Sequence, residues 1–232
     1  MTLINQDTKL CDIILQEPST ITVLDRFGIT LGVGDARIID ACREHDIDVN
    51  FFTTILNTYI NENYFPQTAL LAFSTSKIID YLAKTNEYYE KNVIPNIERH
   101  FAFLINKTAS QNSNLVLMRQ FFEEVKSELL QRIDNDRNKW FPAIALNEMK
   151  SIGKMLNPVK DAEDINDPIE EKINDLINML IMHLKGDYDH NLGYAVITAI
   201  FSLKKDIKQN NRIRSRILLP ISQALDTKNE RL

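Results

Sequence analysis

Glycine and proline are scarce in this chain, and that scarcity limits its fold more than any other feature. Among 232 residues there are 6 Gly and 7 Pro, about half of their usual combined share of roughly 12%. Three of the glycines crowd between Gly28 and Gly34. The rest of the chain is almost without turn residues. A sandwich or barrel needs a turn every dozen residues or so, whereas long helices need few. The expected fold class is therefore all-α.

Apolar periodicity divides the chain. Residues 1–62 read as a small helical domain. Leu10, Ile13, Ile14 and Leu15 make a short helix that stops before Pro18. Ser19 or Thr20 caps a second helix carrying Ile21, Val23, Leu24 and Phe27, Asp35 a third through Ile38, Ile39 and Ala41, and Asp48 a fourth from Phe51 to Ile60. The glycines between invite a phosphate-loop reading. No Gly-Lys-Ser/Thr follows and no strand precedes them, so they read as a corner needing positive φ. Residues 63–75, with Pro66, read as a linker. Residues 76–232 read as an up-down helix bundle with patterns at 76–91, 95–109, 114–139, 168–185, 190–210 and 211–227. Pro95, Pro142, Pro168 and Pro220 fall near pattern ends, as proline should. Residues 157–167 read as a long crossover loop.

Charge and cysteine content exclude several classes. The net charge is −5 with 25% charged residues. There is no uniformly basic nucleic-acid footprint and no acidic disordered tail. The N-terminus lacks the features of a signal peptide, and no apolar run reaches membrane-spanning length. The expected address is the cytoplasm. Cys11 and Cys42 then read as reduced thiols. Cys42, beside Ile38 and Ile39, is expected to be buried and slow to react, and Cys11 similar.

Helix bundles build sites from inward-facing side chains three and four residues apart. Several apolar stripes turn polar. Ile78 and Leu82 lead to Asn86; Phe122, Val125 and Leu129 lead to Arg132 and Asp136; Ile200, Leu203 and Ile207 lead to Asn210 and Arg214. Asn166 precedes Ile169 and Ile173 at the same phase. The bland alternative is that some of these six face solvent near a bundle end. The 132/136 and 210/214 pairs have the spacing of a helical metal clamp with the wrong chemistry. A guanidinium has no lone pair to donate, and an amide is a weak ligand for transition metals. The four histidines do not supply the lack. His45 reads as a helix cap, His100 as half-exposed, His183 as a core-edge residue and His190 as part of a loop. No nucleophile–base arrangement is visible, so the chain reads as non-enzymatic.

The run Leu10…Ile13…Glu17-Pro18…Val23-Leu24-Asp25-Arg26-Phe27-Gly28-Ile29, followed by Asp40-Ala41-Cys42 and Asp46-Ile47-Asp48, resembles the short N-terminal domain of the iron–sulfur cluster repair family. Weaker local matches continue through Asp80-Tyr81-Leu82, Glu128-Leu129, Phe141-Pro142, Ile169-Glu170-Glu171-Lys172 and Ile217-Leu218-Leu219-Pro220. The resemblance implies a hemerythrin-like four-helix bundle after the small domain, and in the family that bundle holds a di-iron site. The departures are as informative. Gly32 and Val33 stand where the family has a Cys-Cys pair. Asn86, Arg132, Asp136, Asn166, Asn210 and Arg214 fall on its His and Glu ligand positions, and one further His falls near Lys107 or Thr108. Metal-ligand and cofactor residues are thus expected to be absent, and these six are vestigial positions. The implied function is a metal-free interaction or regulatory module with a protein partner or a second copy. A sensor whose pocket is the emptied metal cavity is a variant of it. The alternative is a di-iron repair or nitric-oxide-stress protein with atypical ligands. Asp136 is expected to pair with Arg214 or Arg132, with Asn86, Asn166 and Asn210 donating further hydrogen bonds.

Overall fold

The computed structural model describes residues 3–108, 113–150 and 167–223. Every extended element among them is helical, and no β-strand is present. The small helices are α1 (Leu10–Gln16), α2 (Ile21–Arg26), α3 (Ile38–Glu44), α4 (Val49–Ile60) and α5 (Gln67–Leu71). The longer ones are α6 (Thr75–Tyr88), α7 (Ile94–Lys107), α8 (Ser113–Asn135), α9 (Phe141–Lys150), α10 (Pro168–His183) and α11 (His190–Ile213). Residues 157–166 of the expected crossover lie outside the described residues.

Side-chain caps start three helices. Asp48 accepts from the backbone N–H of Asn50 and Phe51, Asp167 from Ile169 and Glu170, and Asp189 from Leu192. Each satisfies donors that the first helical turn leaves unpaired. Two expected caps are not made. Thr20 belongs to a 3₁₀ turn and its hydroxyl donates to the Glu17 carbonyl. Asp35 is ion-paired with Lys9 at 2.7 Å, and α3 starts after Arg37. The glycine corner does use positive φ, at 77°, 98° and 54° for Gly28, Gly32 and Gly34.

Three prolines sit inside helices, not at their ends. The chain is continuously helical over 75–107, 113–150 and 190–223, because π-helical turns join the expected pieces. These turns are Tyr89–Val93, Asp136–Trp140 and Arg214–Leu218. Each is followed by one apolar residue and then by Pro95, Pro142 or Pro220. Proline lacks an N–H and its ring clashes with the carbonyl four residues back. In all three places that carbonyl lies within the wide turn, where the ring has room. Pro168 alone of the four occupies a helix start, behind the Asp167 cap.

Two apolar cores result. One joins the N-terminal helices to the neighbouring ends of the long ones: Phe52, Ile55 and Leu56 share it with Ile78, Tyr81, Phe141, Ile213 and Ile217. The stretch expected as a linker takes part, since α5 lies in it and Leu70 is wholly buried. Its composition hid this, because Ala69, Leu70, Leu71 and Phe73 follow polar residues. The second core is built by α7, α8, α10 and α11. There α7 packs on α11 and α8, and α10 on α8 and α11. Phe101 and Phe122 stack at 5.4 Å within it. Among the described residues no helix is long and apolar enough to cross a membrane.

Candidate functional site: a buried guanidinium–carboxylate centre

Three of the polar interruptions of the apolar stripes, Asn86, Asp136 and Arg214, meet where the two cores adjoin. Asp136 opens the second π-turn and is fully buried. Arg214 opens the third. Its Nη1 donates to Asp136 Oδ2 at 2.5 Å and its Nη2 to Oδ1 at 2.9 Å, a two-pronged pair. Asn86 Nδ2 donates to Oδ2 at 2.9 Å. The Trp140 ring lies 4.7 Å below the Arg214 guanidinium. A planar fork on a carboxylate, one face against an aromatic ring, is the arrangement in which arginine best offsets its loss of hydration.

Arg132 turns the other way. Its Nη1 donates to Asp167 Oδ2 at 2.9 Å and to Asn211 Oδ1 at 3.2 Å. Asn211 in turn donates to Glu170 at 2.6 Å. Burial and then the nearby Arg214 charge hold Arg132 below the usual arginine range. Two guanidinium groups on one carboxylate would repel, so the second takes the capping aspartate of α10. Asn210 also departs from expectation. It does not reach Asp136, and its Nδ2 donates to the Tyr89 hydroxyl at 3.2 Å and to the Asp206 carbonyl at 2.7 Å. Asn166 lies outside the described residues.

A second buried pair went unread in the sequence. Asp206 lies one turn before Asn210 and is ion-paired with Arg26, which reaches in from α2. The available signal was Asp206 itself, a carboxylate four residues before Asn210 on the same stripe. Arg212, also buried, donates to the carbonyls of Thr58 at 3.1 Å and Tyr64 at 2.8 Å, tying α11 to α4 and the turn after it. Of the histidines, His100 is half-buried, as expected, and lines a groove that also reaches Asp206. His45 caps α3 as expected, while His183 is exposed and its carbonyl accepts from Asn114. His190 is the first residue of α11, not a loop residue, and lies against Tyr188 at 4.8 Å.

The donor set does not fit a di-iron group. Arg132 and Arg214 have no lone pair to give, and the Asp136 carboxylate already accepts three hydrogen bonds from cationic or amide donors. Among the described residues no three His, Cys, Asp or Glu side chains converge in a way that would hold a metal ion. A cavity of about 330 Å³ opens onto the pair, lined by Asn135, Asp136, Trp140, Asp167, Asn211, Arg214 and Ser215 among others. It has the size of a small-ligand site and offers amide, hydroxyl and charged groups. Comparison with protein families, with curated proteins and with solved structures finds no match to this chain.

Proposed function

We propose that this chain is a metal-free hemerythrin-like module, in which a small N-terminal helical domain precedes an up-down four-helix bundle. It acts without catalysis, as an interaction or regulatory component in stress response, on a protein partner or a second copy of itself. One observation carries the reading: the Arg214–Asp136 fork with Asn86 fills the place where the resemblance puts iron ligands. The ion pair does by hydrogen bonding what a bridged metal does by coordination, holding long helices together across their core. The cavity beside it favours the sensor variant, because its walls carry the asparagine and arginine side chains that a polar ligand needs.

Iron analysis of protein purified from iron-supplemented cells tests the reading. Well under one iron per chain is expected, since a guanidinium repels a cation at this distance. Iron near two per chain, with an oxo-bridge absorption band, overturns it in favour of a di-iron repair protein with atypical ligands. Sedimentation at several concentrations reports whether a second copy is the partner.

A further inference from the structure

Arg26 is a buried charge at the junction between the N-terminal helices and the long ones, its side chain wholly excluded from solvent. Its Nη2 pairs with Asp206 Oδ2, and its Nη1 donates to the Tyr81 hydroxyl at 3.2 Å. The guanidinium carbon lies 5.9, 5.3 and 5.8 Å from the ring centres of Tyr81, Tyr88 and Tyr89. Three aromatic rings and one carboxylate thus enclose one cation. The enclosure is held from outside Arg26. Asn210 donates to both Asp206 and the Tyr89 hydroxyl, and Thr22 donates to the other Asp206 oxygen at 3.4 Å.

We propose that Asp206, Tyr81, Tyr88 and Tyr89 form a guanidinium-binding socket, filled in this chain by Arg26 as an intramolecular ligand and able to take a small guanidinium-bearing molecule when that side chain is removed. The chemistry selects guanidinium over ammonium. A planar fork reaches a carboxylate and a phenol at once, lies flat against rings, and is more weakly hydrated than an ammonium point charge. Burial opposes the charge on Arg26, yet the facing Asp206 carboxylate holds it well above the usual arginine range. A groove of about 860 Å³ between α7 and α11 is lined by Thr22, Tyr88 and Asp206 among others, and offers a free ion a route from solvent. In the intact chain the tethered Arg26 outcompetes any free ion, because attachment gives it a high effective concentration. Its role there is to fix the register in which the N-terminal helices seat.

Chemical rescue in the full chain tests this. Arg26→Ala should lower the thermal midpoint by about 8 °C or more, the size expected when a buried charge loses its partner. Guanidinium chloride at up to about 40 mM, far below denaturing concentrations, should restore at least half of that loss and saturate. Equal sodium chloride or ethylammonium chloride should restore much less. Adding Asp206→Ala should abolish the rescue. Recovery no greater than with sodium chloride, or recovery that survives Asp206→Ala, overturns the socket. Should Arg26→Ala not fold, Arg26→Lys decides. A midpoint about 4 °C or more below wild type supports the socket, and a wild-type midpoint overturns it, since a point charge would then serve.

Discussion

Arg214 grips Asp136 through both terminal nitrogens across 78 residues of sequence. Each of the two opens a π-turn, and Asn86, which donates to the same carboxylate, stands three residues before the Tyr89–Val93 turn. Wide turns of this kind recur where a helix must present side chains out of its regular phase. Here the ion pair and the turns share one level of the molecule.

Breaking that grip should be costly. Asp136→Ala leaves a guanidinium in a largely buried place without its carboxylate and should lower stability by about 3–5 kcal/mol. Replacing both partners by apolar residues of similar size should cost much less, because the desolvation of two charges is then avoided. Denaturant melts read both. An unchanged midpoint for Asp136→Ala means the pair contributes nothing.

The two thiols should separate kinetically. Cys42 has no solvent exposure, and burial followed by the Asp48 charge pushes its thiol up to about 11. Cys11 is half-buried rather than sheltered, contrary to the expectation of similar burial. A small alkylating reagent at mildly alkaline pH should label Cys11 in the native chain and Cys42 only on unfolding. Equal rates contradict the burial of Cys42.

Glu170 should oppose stability as pH rises. Burial is the largest influence and raises its carboxyl above the ordinary 4.5, with Asn211 donating a hydrogen bond that pulls it partly back. Below 4.5 the group is protonated whether folded or not. Between that pH and the raised value the folded chain holds more protons than the unfolded one, so stability falls as pH rises. Glu170→Gln removes this contribution. The stability of wild type minus variant, from urea melts, should be less favourable to wild type at pH 7 than at pH 4.5. An equal difference at both pH values counts against it.

Pro142→Ala should change little. In a regular helix interior a proline costs about 3 kcal/mol relative to alanine. Here the π-turn already spares the ring its clash, so the gain on removing it should stay under about 1 kcal/mol. A gain near the full helix value, read from the urea midpoint, would show that the turn does not relieve the proline.

The inward set Asn86, Asp136 and Arg214 was legible because a polar residue on an apolar stripe violates the local pattern. Arg132 lies on the same stripe as Asp136, but its partner Asp167 belongs to another helix, and repulsion between arginines is not written in either stripe. Arg26 was hidden for a similar reason. It sits in an apolar run, and its carboxylate lies 180 residues away. The all-helical class followed from the rarity of turn residues. The continuity of the long helices did not, because in sequence a proline marks a helix boundary, whereas a wide turn can carry it through.

A π-turn holds one residue more than the α-turn it replaces. The side-chain direction beyond it is therefore offset by about 100° from that of an unbroken helix. Spacings counted in the sequence across Asp136 or Arg214 do not translate into distances along a regular rod. Set beside this chain, a protein whose helices run unbroken would need a one-residue gap opposite each of the three turns.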